Sequence, residues 1–272
     1  MKKWWFAFLV VLSAILLAGN CLSATYDITG AWDYTISNYW NNCGDPIPET
    51  SQGIDIMMQN GDNFTHINLD RGTFTGTVNG NVYTAPWTFY EDGGWTTATY
   101  SLTASSSTQL LGTGNWTWSG FGESCSGGFQ YSLTKQQQIP PTYNATGTWD
   151  YSESGLWNNC GDPNPQPGSG TDTLTQTGNR ITVVDDQQRS FDGFVSGSTY
   201  TFVRSYPEEG GITSEVYTVT LSSGGTSGSG TCKWVWNDAD ESCNGGWNFS
   251  YVKQEEKVKG IPAIPLLLLD DD

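Results

Sequence analysis

The sequence predicts an all-β protein built from two copies of one domain, each an eight-stranded antiparallel up-and-down barrel. Three observations lead there. The composition favours strands and turns, with 13 Trp, 13 Tyr, 11 Phe and 33 Gly in 272 residues, and no long Ala/Leu/Glu/Lys run offers a helix. The stretch Thr25 to Tyr34 returns as Thr142 to Tyr151, an offset of 117, too long for a solenoid unit and suited to a whole domain. Within each copy, short runs with apolar residues at every second position are divided by strong turn sequences.

The chain opens with Lys2-Lys3, an apolar stretch from Trp4 to Gly19 and the small-residue region Leu22-Ser23-Ala24. This is the layout of a secretory signal peptide of bacterial type, spanning residues 1–24. The expected location is therefore secreted or periplasmic, with a lipoprotein anchor at Cys21 as the weaker reading. The first domain follows at 25–136. Its predicted strands are 29–36, 53–60, 63–70, 73–79, 81–90, 95–104, 109–119 and 128–135. Asn60-Gly61-Asp62, Asp70-Arg71-Gly72, Asn79-Gly80 and Asp92-Gly93-Gly94 supply the hairpin turns. A meander of eight strands without a long crossover leaves two edges. Closure into a barrel removes them, and a two-sheet β-sandwich is the competing arrangement. Residues 137–141 form a Pro-containing linker, 142–254 the second domain, and 255–272 a charged and then apolar tail too short to span a bilayer.

Gly30-x-Trp32 begins the first strand and Lys135 ends the eighth; Gly147-x-Trp149 and Lys253 repeat the pair. This pattern, with eight meandering strands, resembles the lipocalin and calycin barrels over nearly all of 25–254. The resemblance implies that Trp32 and Trp149 plug the closed ends and that Lys135 and Lys253 lie across them. In such a meander the connections after strands one, three, five and seven share the other end. Cys43 and Cys125 lie at that end, as do Cys160 and Cys243, so each pair is expected to form a disulfide in an oxidising compartment. Cys232 is left over and is expected to be a free buried thiol.

A formal charge of −17, from 11 Lys+Arg and 28 Asp+Glu, excludes nucleic-acid partners and docking on anionic lipid. No haem, P-loop or nucleophile-elbow motif is present, and no cofactor or metal is expected. His66, the single histidine, faces Val183 in the other copy and reads as a core or surface imidazole. Asp238-x-Asp240-Glu241 lacks EF-hand spacing. The residues repeated at the open end are Trp40, Asp45, Glu91, Trp118 and Glu123 in the first copy. Their counterparts are Trp157, Asp162, Glu208, Trp236 and Glu241 in the second. An acidic, aromatic rim suits a small apolar, neutral or cationic molecule, or a saccharide. With no catalytic residues singled out, the chain reads as a binding protein and not an enzyme, with two sites per chain. The alternatives are a surface carbohydrate-binding or adhesive module and, less favoured, a glycosidase- or isomerase-type enzyme.

Overall fold

The computed structural model describes residues 24–255 except 45, 48, 70, 71, 92, 162, 239 and 240, and it leaves undescribed the side chains of 89–91. The predicted leader and most of the tail thus lie outside the described residues. What is described is all-β. The first eight strands are β1 (Gly30–Asn41), β2 (Thr50–Asn60), β3 (Asn63–Asn68), β4 (Gly72–Asn79), β5 (Val82–Glu91), β6 (Gly94–Ser106), β7 (Gln109–Gly120) and β8 (Glu123–Lys135). The second eight are β9 (Gly147–Asn158), β10 (Ser169–Thr177), β11 (Arg180–Val184), β12 (Ser190–Ser196), β13 (Thr199–Glu208), β14 (Gly211–Leu221), β15 (Ser227–Asn237) and β16 (Ser242–Lys253). Each strand pairs with its successor, and β1 closes on β8 as β9 closes on β16, giving two closed barrels.

The alternation in the sequence becomes an inside and an outside. Trp32, Tyr34 and Ile36 of β1 point inward with Tyr100 and Leu102 of β6 and Tyr131 and Leu133 of β8. At one end of each barrel the chain entering the first strand crosses the mouth. Trp32 and Trp149 are fully buried there, and each indole donates to a carbonyl of that segment, Ile28 or Ala145, at 2.8 Å. Lys135 and Lys253 hold their ammonium groups 5.6 and 5.7 Å from the Trp ring centroids. Glycine is required beside them: a Cβ at Gly30 or Gly147 would stand 2.7 Å from the lysine Cε. The Gly-x-Trp pattern is therefore the imprint of a cation laid over a buried indole.

At the opposite end the Cys43–Cys125 and Cys160–Cys243 disulfides tie the β1–β2 and β9–β10 connections to the start of β8 and β16. Cys232 is free and buried. The strands beside the disulfides run longer than the sequence pattern suggests, with β1 reaching Asn41 and β8 starting at Glu123. A bulge accounts for part of this. The β1–β8 register shifts between Ser37 and Trp40, where Asn38 has φ 50°. The β16–β9 register shifts beside Gly155, whose φ is 61°. Left-handed backbone of this kind favours Asn and Gly.

The barrels also touch. Ile56, Met58 and Ile67 pack with Phe194, Val203 and Val216. Arg180 reaches across to the Asp27 carboxylate at 2.8 Å and to the Gln59 carbonyl at 3.0 Å.

Candidate functional site

The two barrels differ inside. The second encloses a cavity of about 890 Å³ that opens beside Cys160 and Cys243, at the upper end of the range of small-molecule sites. The corresponding space among the described residues of the first is about 30 Å³, room for a water. Inward positions decide this. On β13 the inward residues are Tyr200, Phe202, Arg204 and Tyr206, and on β14 they are Thr213, Glu215, Tyr217 and Val219. The first copy has Trp87 where the second has Arg204, and Ala98 where it has Glu215. Trp87 packs against Phe74 with ring centroids 4.6 Å apart and planes tilted by 54°, and fills the lumen. Arg204 takes the same place over the matching Phe191, at 5.3 Å.

A guanidinium in this position needs a counter-charge, and Glu215 provides it. Arg204 Nη2 donates to Glu215 Oε1 at 2.9 Å, and Nε stands 2.7 Å from Oε2 as an ion pair off hydrogen-bond alignment. The hydroxyls of Tyr206 and Tyr217 donate to the two Glu215 oxygens at 2.9 and 2.8 Å. Burial works against the Arg204 cation, but the Glu215 carboxylate outweighs it and holds the guanidinium pKa above its usual value. Burial, and then the Glu215 charge, raise both phenols, so they stay neutral donors. This is a largely buried, hydrogen-bonded ion pair, and removing one partner would be costly.

Across the lumen, on β10, Asp172 is 5% exposed and accepts a hydrogen bond from Tyr251 of β16. Burial pushes its carboxyl up to about 6 despite the opposing Tyr251 bond, with further upward pressure from Asp185 and Asp186. Asp185 itself is held by Arg189 at 2.6 Å. A carboxyl that titrates near neutrality on a cavity wall can take up and release protons under ordinary conditions.

The first barrel carries the same aspartate without the cavity. Asp55 is fully buried and accepts from Tyr131 and from Asn68 Nδ2 at 2.8 Å. His66 Nε2 lies 2.8 Å from it and His66 Nδ1 lies 2.7 Å from Tyr100 OH. The histidine is thus a partnered core imidazole.

The predicted site residues separate into groups. Glu208, Trp236 and Glu241 line the second cavity, and the Trp236 indole is fixed by a bond to the Glu208 carbonyl at 2.9 Å. Trp118 is half-buried on β7 and Glu123 is exposed at the start of β8. Trp40 and Trp157 are 51% and 49% exposed. Alternation counted from Trp32 and Trp149 would turn both inward, but the bulge at Asn38 and Gly155 reverses the facing. Tyr39 instead packs on Phe129, and Leu156 lines the cavity. Asp45 and Asp162 lie outside the described residues, and Glu91 ends β5 with its side chain not described. Among the described residues no group of three or more potential ligands could hold a metal.

Sequence reasoning missed Asp172, Arg204, Glu215, Tyr217 and Tyr251. A signal for two of them was present: at inward positions the copies exchange Trp87 and Ala98 for Arg204 and Glu215, an apolar-to-charged change that burial tolerates only as a pair.

Neither a family model nor a curated protein sequence matches the chain. Among solved structures the chain is similar to kievitone hydratase from Nectria haematococca at 9% identity, covering 84% of this chain and 90% of that one with a TM-score of 0.18. That protein is an enzyme, which puts in doubt the expectation that this chain is not one. The second lumen gives a physical reason for the correction: closure gathers ionisable groups that are far apart in the sequence and carry no linear motif. At that TM-score the likeness says nothing of substrate or mechanism.

Proposed function

We propose that the second barrel is a lipocalin-like cup that binds one small ring-bearing molecule, neutral or cationic, inside its lumen. The observation that carries this is, among the described residues, a cavity of about 890 Å³ in one barrel against about 30 Å³ in its duplicate. The wall offers flat surfaces: Tyr217 stacks on Phe202 at 5.0 Å with ring planes 16° apart, and Trp247 meets it edge-on at 6.0 Å. Carboxylates on the lining outnumber the guanidiniums of Arg189 and Arg204, which disfavours an anionic ligand. Glu208, Trp236 and Glu241 belong to this site at its mouth. The reading gives one site per chain and places it within the lumen instead of on Trp40 or Trp157. We also propose a secreted or periplasmic location, which the two disulfides support; no helix among the described residues is long and apolar enough to cross a membrane.

The test is a calorimetric titration with 2-naphthol, 2-naphthylmethylammonium, 2-naphthoate and glucose. The expected result is binding of the first two at one site per chain and weakest binding for the carboxylate. An Arg204→Trp/Glu215→Ala double variant, which installs the first barrel's own filling, should lose that binding while keeping the circular dichroism of the parent. Undiminished binding in this variant would overturn the assignment to the lumen.

A further inference from the structure

Resting on that binding reading, we propose that Asp172 is a base that transfers protons to and from a molecule held in the second lumen, with Tyr251 as its positioning residue. The duplication supplies the comparison. Asp55 and Asp172 occupy the same place, each opposite the plugging Trp in the strand register. Asp55 is enclosed by Tyr131, Asn68 and His66. In the second copy those three positions hold Phe249, Asp185 and Val183, none of which can donate a hydrogen bond to an ionised carboxylate. The one side-chain donor to Asp172 among the described residues is Tyr251, which replaces Leu133 of the first copy two residues along the strand. The same carboxylate has thus lost three partners, gained one from a new direction and acquired an open cavity in front of it.

A purely structural aspartate would gain nothing from this exchange. Burial without full pairing raises the energy of the ionised form and makes it a stronger base than an exposed carboxylate. The charged and titratable groups around it are Tyr151 of β9, Tyr251 of β16, and Asp185, Asp186 and Arg189 following β11, with Glu153 of β9 acting on the two tyrosines. The Arg204–Glu215 pair lies across the lumen, and Arg204 Nη1 also stands 4.0 Å from Asp185 Oδ2, so the guanidinium offsets part of the Asp185 charge. The acidic neighbours push the carboxyl upward and the Tyr251 bond restrains it.

The reaction class that fits is isomerisation by proton transfer. The ionised Asp172 takes a proton from a carbon beside a carbonyl, and the C–H electron pair moves into the conjugated system of the substrate. The same proton then returns from the carboxylic acid to a second atom of that system. No bond to the protein forms, and no oxidant, reductant or co-substrate is consumed.

The probe is 5-nitrobenzisoxazole, whose ring opening needs only a base. The carboxylate takes the C3 proton, the C–H pair completes the C≡N bond, and the N–O bond breaks with its own electron pair leaving on the phenolate oxygen. The coloured phenolate is followed optically, and displacement of bound 2-naphthol reports probe binding separately. Saturable elimination by the full chain is expected, with a pH midpoint near 6. Asp172→Asn should lower the rate by about 100-fold or more, while Asp192→Asn on the outer face of β12 should match the parent. Tyr251→Phe should move the midpoint to higher pH, which a merely structural hydroxyl would not do. A probe that binds with equal rates in the parent and Asp172→Asn overturns the proposal and leaves the binding reading intact. Failure of the probe to displace 2-naphthol, without elimination, also counts against it. Failure of both compounds to bind removes the binding reading as well.

Discussion

Replacing Asp172 by Asn should change the pH dependence of folding stability in a direction that the surroundings of Asp172 dictate. The carboxyl titrates at about 6 in the folded protein against 3.8 for the unperturbed group. The folded state therefore keeps its proton to higher pH than the unfolded chain. Between those values the folded state binds more protons, so stability falls as pH rises, and above about 6 the deficit is complete. A displacement of about two pH units at about 1.4 kcal/mol each amounts to about 3 kcal/mol. Asn cannot ionise and is free of the deficit. Relative to the parent, Asp172→Asn should thus gain about 3 kcal/mol between pH 4 and pH 7.5. The assay is guanidinium chloride unfolding of both proteins at several pH values in that range, compared transition by transition. Taking the difference between the two proteins cancels the other carboxylates. A difference that stays flat with pH would refute the reasoning. One that moves the other way would show that the Tyr251 bond outweighs burial.

Three further outcomes follow from the ends of the barrels. Trp32→Ala, which truncates a fully buried indole and orphans the Ile28 carbonyl, should cost about 3–5 kcal/mol in chemical unfolding. Trp40→Ala, at a half-exposed site, should cost much less, and equal losses would contradict the outward facing of Trp40. Reduction of the disulfides, which close loops with sequence separations of 82 and 83, should lower stability by about 4 kcal/mol for each barrel. Non-reducing peptide mapping should recover Cys43 with Cys125 and Cys160 with Cys243, and Cys232 as a free thiol.

Much of the molecule could be read from the residue order because the responsible signals are local or topological. Turn residues and period-two alternation mark the strands, and a meander places alternate connections at one end whatever its side chains are. The cysteine pairs follow from that placement, and the Trp-over-cation plugs are implied by the resemblance of the Gly-x-Trp and terminal Lys residues to the lipocalin barrels. Even here a single residue in left-handed backbone, Asn38 or Gly155, reversed the facing of Trp40 and Trp157. Alternation assumes an unbroken pleat, and a bulge resets its phase.

The interior chemistry belonged to the closed barrel alone. Asp172, Arg204, Glu215 and Tyr251 stand on four strands and share no linear motif; closure brings them to one lumen. Two domains with the same alternation, turns and disulfides have the same architecture by the sequence alone. Whether a barrel is filled or hollow turns on side-chain volume and charge at a few inward positions. Trp87 and Ala98 fill one lumen, while Arg204 and Glu215 border the other. Backbone pairing sets the wall in both cases, and packing across the wall, a sum over residues distant in the chain, sets what the wall encloses.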